Sequence, residues 1–120
     1  MQTVVETPSY LAAAKASGIT EAIRSAIVTM VAEDPACGAE LRGTGGCRKF
    51  RVARRGEGKS GGYRIIYFYT GPDIPVFLLT VFAKGERDNI SDAEANALAG
   101  LTKRLVEAHR AKVAKLETRR

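Results

Sequence analysis

Two segments, Gly62–Tyr69 and Pro75–Ala83, are apolar on both of their alternating faces, and Gly71-Pro72-Asp73 stands between them. A strand with two apolar faces has to be covered on both. The pair therefore reads as two central strands of one sheet, joined by a turn and sandwiched between other layers. The rest of the chain must supply those layers. At 120 residues it can build one core but not two, so a single domain is expected over residues 1–120, with a charged tail from about residue 110 that is expected to fray. The balance of 45% hydrophobic and 27% charged residues is that of an ordinary globular protein and argues against wholesale disorder or a coiled coil. The longest apolar run, Ile74 to Ala83, is too short to span a bilayer. The N-terminus lacks a basic start and a long apolar stretch, so no secretory signal is expected and the predicted location is cytoplasmic.

The covering elements are readable from their boundaries. Thr3–Glu6 has the pattern of a short strand. Thr7-Pro8 has the form of a helix opening, with Thr7 as N-cap and Pro8 at the first helical position, where its missing N–H does no harm. The Ala-rich piece Ser9–Ala16 follows and is interrupted by Ser17-Gly18. A second helix starts near Thr20 and carries Ile23, Ile27, Met30 and Val31 at helical spacing, a core-facing stripe that ends at Asp34-Pro35. Residues 37–46, with four glycines, read as a loop. In Cys47–Arg54 the apolar Phe50 and Val52 alternate with Lys49 and Arg51, which predicts a strand with one buried and one basic face. Gly56–Gly61 reads as a hairpin loop. Ser91-Asp92-Ala93-Glu94 fits a capping box, and the helix it opens places Leu98, Leu101, Leu105 and Ala108 on one stripe. Helices, then an antiparallel meander, then a helix make a small α+β domain.

Charge is concentrated. The chain carries +6 overall, but residues 42–64 alone hold eight bases (Arg42, Arg48, Lys49, Arg51, Arg54, Arg55, Lys59 and Arg64) against one acid, Glu57. Residues 1–41 are net acidic, with two bases and five acids. A basic focus on an otherwise near-neutral domain points to a polyanion, most often nucleic acid.

Several chemistries are disfavoured. The single histidine, His109, lies late in a charged helix, which leaves no Ser-His-Asp or Cys-His system and makes it a solvated helix residue. Cys37 and Cys47 cannot make a disulfide framework, and neither a Cys-x-x-Cys nor a His cluster offers a zinc site, so no metal and no cofactor is expected. Gly56-Glu57-Gly58-Lys59-Ser60 superficially resembles a phosphate-binding loop, but position 53 is Ala where the pattern needs Gly. Tyr63, Tyr67 and Tyr69 fall on one parity and read as packing rather than as a base-stacking platform. What remains is the cluster of Lys and Arg. It can bind RNA through phosphates. It can also cleave RNA: attack of a ribose 2′-OH on the adjacent phosphate builds negative charge that a fixed guanidinium stabilises, and a lysine crowded by other cations has a lowered pKa and can act as base. Composition does not separate binding from cleavage.

Three stretches together carry a resemblance: Gly43-Thr44-Gly45-Gly46-Cys47-Arg48-Lys49-Phe50-Arg51, Gly58-Lys59-Ser60-Gly61-Gly62-Tyr63-Arg64-Ile65-Ile66-Tyr67, and Leu78-Leu79-Thr80-Val81-Phe82-Ala83-Lys84. From about Val4 to Leu105 the chain resembles the RelE-like toxins of bacterial type II toxin–antitoxin modules, most closely the HigB-type branch of the RelE/ParE superfamily. The resemblance implies a RelE-like fold: a small antiparallel sheet with two N-terminal helices and one C-terminal helix. It implies a ribosome-dependent, metal-independent mRNA endonuclease that is neutralised by a cognate antitoxin, in this branch one with a helix-turn-helix part. By motif, Arg64 and Lys84 are the expected catalytic residues, and Lys49, Arg51, Arg54 and Lys59 the expected RNA-binding ones. The family's further arginine just after the lysine, and its tyrosine a few residues on, correspond here to Gly85 and to Ile90 or Ser91. Lysines would then carry more of the chemistry. Two other readings stand beside this one: a ParE-like gyrase inhibitor without nuclease activity, and a non-catalytic RNA-binding module. Whether Arg64 shares the face of Lys49 and Arg51 depends on hairpin register, which one residue of slip reverses.

Overall fold

In a computed structural model, residues 2–53, 62–83 and 90–118 are described. They form β1 (Val4–Glu6), α1 (Pro8–Ala16), α2 (Glu21–Glu33), β2 (Ala39–Glu40), β3 (Cys47–Val52), β4 (Tyr63–Phe68), β5 (Val76–Ala83) and α3 (Asp92–Thr118). The helix starts follow the local chemistry. The Thr7 hydroxyl accepts from the Tyr10 amide at 3.2 Å with Pro8 in the first turn, and the Thr20 hydroxyl accepts from the Ile23 amide at 3.3 Å. At α3 the capping box is reciprocal: the Glu94 amide donates to Ser91 Oγ and the Ser91 amide to Glu94 Oε1, each at 3.1 Å. Gly18, at φ 74°, makes the left-handed turn between α1 and α2.

The strands form one sheet in the order β1-β5-β4-β3-β2. The β2-β3-β4-β5 part is antiparallel, as expected, and β4 and β5 are both interior to the whole sheet. The sheet differs from the expectation at its edge, where β1 pairs parallel with β5 and makes the sheet mixed. Parallel neighbours need a long crossover, and everything from α1 to β4 supplies it. The direction of β1 follows from where α1 is anchored: Thr7 donates to the Leu78 carbonyl from both its amide (3.3 Å) and its hydroxyl (2.7 Å). In the loop over 37–46, Ala39 and Glu40 pair with Lys49 and Arg48 as a short edge strand.

Both faces of the sheet are covered. On one, Tyr63, Ile65 and Tyr67 of β4 and Val76, Leu78 and Val81 of β5 pack with Tyr10 and Ala14 of α1 and Ile27 and Val31 of α2. On the other, Cys47, Ile66, Phe68, Leu79 and Phe82 pack under Leu98, Leu101, Leu105 and Val106 of α3. A β-bulge serves this division. The β4–β5 register passes from Ile66↔Thr80 to Tyr67↔Leu78, which leaves Leu79 as an extra residue. Ser9 Oγ satisfies its carbonyl at 2.9 Å.

Two positions expected in the core are not there. Met30 is 44% exposed because the buried line of α2 is centred on Ile27 and Val31, with Val28 as its partly buried flank. On α3, Ala108 is exposed and Val106, on the other flank of the stripe, takes the sheet contact. Helix α3 runs on through the charged tail to Thr118. Among the described residues no helix is long and apolar enough to cross a membrane.

Candidate nucleic-acid interface

The β3–β4 register pairs Arg51 with Arg64 and Lys49 with Ile66. Directly opposed residues of an antiparallel pair project from the same face, so Lys49, Arg51 and Arg64 share one face. Phe50 and Val52 turn to the other, where they pack with the core on the α1–α2 side. Through β5 the rows continue as Arg51–Arg64–Phe82 and Lys49–Ile66–Thr80, and the next row along β3 and β4 is Cys47–Phe68. The face is thus apolar where α3 lies on it and cationic toward the β3–β4 connection.

Arg64 sits at the boundary. It is half-buried on a central strand, between the buried Phe82 and the exposed Arg51. Its Nε is buried and has no hydrogen-bond partner among the described residues. An orphaned buried donor costs about 1–3 kcal/mol, and like charges directly opposite each other across a strand pair are also destabilising. Both features work against the fold. A sheet selected only for stability would not retain them.

Arg48 shows what a structural arginine looks like in the same strand. One Nη donates to the carbonyls of Gly38 at 2.7 Å and Ala36 at 3.4 Å, and the other pairs with Glu40 at 3.1 Å. Lys49, Arg51 and Arg64 have no ion pair among the described residues, where the salt bridges are Arg48–Glu40 and Arg24–Glu6. The basic cluster seen in the sequence therefore divides into a structural member and a row that no carboxylate pairs among the described residues. Of the six expected site residues, Arg64, Lys49 and Arg51 are brought together. Lys84, Lys59 and Arg54 lie outside the described residues, as does the expected hairpin loop Gly56–Gly61.

Among the described residues, the tyrosines and Cys47 are committed to the fold rather than to the cationic row. Tyr67 Oη donates to the Pro35 carbonyl and accepts from the Gly38 amide, at 2.7 and 2.8 Å, and burial pushes its pKa well above the usual tyrosine range. Burial, with a contribution from nearby Glu6, pushes Tyr10 up to about 12, and burial pushes the Cys47 thiol up to about 11. Cys47 is a core side chain, not a thiolate nucleophile. His109 is partly buried rather than fully solvated, with its Nε2 at 3.1 Å from the Asp73 carbonyl. Tyr63 and Tyr67 lie in the core and Tyr69 packs against it, which bears out the packing reading of all three.

The Gly43–Gly46 segment also proves structural. Thr44 Oγ1 donates to the Leu41 carbonyl at 2.6 Å and accepts from the Cys47 amide at 3.1 Å, while Thr102 of α3 donates to the Thr44 carbonyl at 3.1 Å. A Cβ on Gly45, which has φ 76°, would stand 2.8 Å from Thr102 Oγ1. This turn docks α3 onto the sheet. Sequence reasoning missed Phe82 and Thr80 as members of the cationic rows, although period-2 alternation from Arg64 and Lys49 would have supplied both once the register was known.

Fold and site together define a small α+β protein in which one sheet face is covered by α3 at one end and carries a cationic row at the other. A family model described as the RelE toxin of the RelE / RelB toxin-antitoxin system matches residues 4–120. The chain belongs to the RelE toxin family, whose members pair with a cognate antitoxin.

Proposed function

We propose that this toxin is a ribosome-dependent endoribonuclease of the HigB-type branch, acting in the cytoplasm, that cleaves mRNA and is neutralised by a cognate antitoxin with a helix-turn-helix part. The observation that carries this reading is the row Arg51–Arg64 with Lys49 beside it on one sheet face. An RNA strand laid along that row meets phosphate-binding cations at Lys49 and Arg51, and at Arg64 a guanidinium fixed by a central strand. When the 2′-OH attacks the adjacent phosphate, the added negative charge on the phosphoryl oxygens falls to Arg64, a donor that needs no reorganisation. Its buried Nε, without a partner among the described residues, is a donor available to that charge. Lys84 joins Arg64 in the chemical step. A lysine of the cluster takes the 2′-OH proton, and the bond from phosphorus to the 5′-oxygen breaks to leave a 2′,3′-cyclic phosphate. The departing 5′-oxygen takes up a proton from a protonated side chain of the cluster, and Arg54 and Lys59 hold flanking phosphates.

The test is single-turnover cleavage on saturated ribosomes, with transcript ends mapped after induction in a bacterium. Arg64→Ala lowers the cleavage rate by about two orders of magnitude and leaves ribosome binding nearly intact, whereas Arg51→Ala weakens binding and its salt dependence. Intact transcripts together with failing supercoiling would overturn the reading in favour of gyrase inhibition.

A further inference from the structure

At the end of β4 away from Arg64, the turn over Thr70–Ile74 and the last turns of α3 enclose a groove of about 560 Å³. Its helical wall carries Val106, Arg110, Val113, Ala114 and Glu117, and His109 ties it to the turn, with Nε2 at 3.1 Å from the Asp73 carbonyl. A helix of 27 residues is about 40 Å long, whereas the eight residues of β5 reach only about 26 Å. The last turns of α3 therefore outrun the sheet. From Arg110 to Glu117 every residue is exposed, the apolar Val113 among them.

The charge in the groove cancels. Arg110 and His109 line it together with Asp73 and Glu117, so the lining selects neither an acidic nor a basic partner. Such a patch suits a second copy of this chain. Two molecules of net +6 repel wherever their basic surfaces meet, and they can approach most closely where the charge sums to zero.

We propose that this face of α3 pairs two toxin molecules as an antiparallel, two-fold dimer. The order of the residues carries the inference. Arg110, Val113, Ala114 and Glu117 fall at i, i+3, i+4 and i+7, so they share one helix face. They are also symmetric about the midpoint between Val113 and Ala114, with opposite charges at the two ends. A two-fold axis at that midpoint makes the contact isologous. Arg110 meets the partner's Glu117, Glu117 meets the partner's Arg110, and Val113 and Ala114 meet their own copies beside the axis. The small Ala114 lets the helices come close. Neither Arg110 nor Glu117 has an ion pair among the described residues, so both charges are available to the partner. Lys112 and Lys115 sit about 150° round the helix from the midpoint, on the side away from the contact. From Arg110 to Glu117 the helix rises only about 10 Å, so the contact falls below the size of a standard stable interface and the dimer is weak. Arg64 lies at the other end of β4, so the inference stands apart from the nuclease reading.

Sedimentation equilibrium of the whole toxin, from about 1 μM to 1 mM, tests this. The wild type passes from monomer to dimer across that range. Arg110→Glu and Glu117→Arg are changes at exposed positions that spare the fold, and each sets like charges together twice. Either one alone weakens association at least about tenfold. The double variant carries the net charge of the wild type with both ion pairs reversed, and it regains the dimer. The two single variants mixed in equal amounts also form a dimer with each other, because every contact between them again joins opposite charges. A change in overall charge or in helix stability would not produce that rescue. The proposal is overturned if the wild type stays monomeric to 1 mM, if either single variant associates as well as the wild type, or if neither the double variant nor the mixture recovers. It is equally overturned if Val113→Asp leaves sedimentation unchanged while weakening RNA binding or the hold on a co-purified protein, because the groove then serves another occupant.

Discussion

Replacing Arg64 with methionine should stabilise this protein while abolishing its activity. Methionine keeps the apolar stem that lies between Phe82 and Arg51 and removes two liabilities. One is the buried Nε with no partner among the described residues, for which the penalty is about 1–3 kcal/mol. The other is the like-charge opposition to Arg51, for which cross-strand pairs give roughly 0.2–1 kcal/mol. The expected gain is about 1–3 kcal/mol, read as a higher urea midpoint at constant m-value and a melting temperature raised by roughly 4 °C for each kcal/mol. Arg51→Met should recover only the repulsion. Because both variants relieve that same repulsion, the double variant should fall short of their sum by up to about 1 kcal/mol. Cleavage on ribosomes should be lost in Arg64→Met even as stability rises, the pattern of a residue kept for activity against the interest of the fold. If Arg64→Met were less stable than wild type and the double variant strictly additive, the guanidinium would be a structural donor and the argument from strain would fail.

Four further outcomes follow from the supporting structure. Tyr67→Phe strands the Pro35 carbonyl and the Gly38 amide that the phenol now joins, and should cost about 1–3 kcal/mol in urea denaturation. Thr102→Val removes the donor to the Thr44 carbonyl, and should speed amide exchange over residues 41–47 before the rest of the sheet. Exposed Cys37 should react with a thiol reagent in the native state and buried Cys47 only on unfolding. Because burial raises the Cys47 thiol from 9.0 to about 11, its contribution to stability is complete below pH 9. That contribution falls as pH climbs from 9 to 11, by at most about 1.4 kcal/mol per pH unit, and Cys47→Ala should flatten this part of the stability profile.

The parts of the fold legible in the sequence are those fixed by local chemistry. Thr7-Pro8, Thr20 and Ser91–Glu94 open helices because their side chains satisfy amides within three residues. The two segments around Gly71-Pro72-Asp73 became central strands because nothing else can bury both their faces. Parity across the β3–β4 connection was not legible: side chains alternate with period two, and the number of residues in a connection does not fix which partner faces which. The same limit hid the parallel β1, whose direction depends on a Thr7–Leu78 contact 71 positions apart. The Gly43–Gly46 run stood out as part of a motif but owes its glycines to a helix far along the chain, since Thr102 stands where a Gly45 side chain would be. Met30 and Ala108 were misplaced for a related reason. A helical stripe gives a direction, while the curvature of the opposing layer decides which flank is covered.

One sheet face has to serve both the core and, on the proposed function, the substrate, and the register explains how it does so. Along β4 the side chains on that face run Arg64, Ile66, Phe68, and along β3 they run Arg51, Lys49, Cys47. Polarity therefore declines on both strands in the same spatial direction, toward the region α3 covers. The extra residue at Leu79 gives β5 a further apolar side chain for that helix. Beyond Lys49 the outer edge of β3 is unpaired by β2, whose described partners stop at Ala39↔Lys49, so Arg51 stands at an open edge while Arg64 is held one strand further in. A backbone phosphate approaching from the edge meets the more exposed charge first and the partly desolvated charge last. Binding energy gathered at Lys49 and Arg51 is then available to bring the scissile phosphate against Arg64, where a donor with no partner among the described residues gains one as negative charge develops.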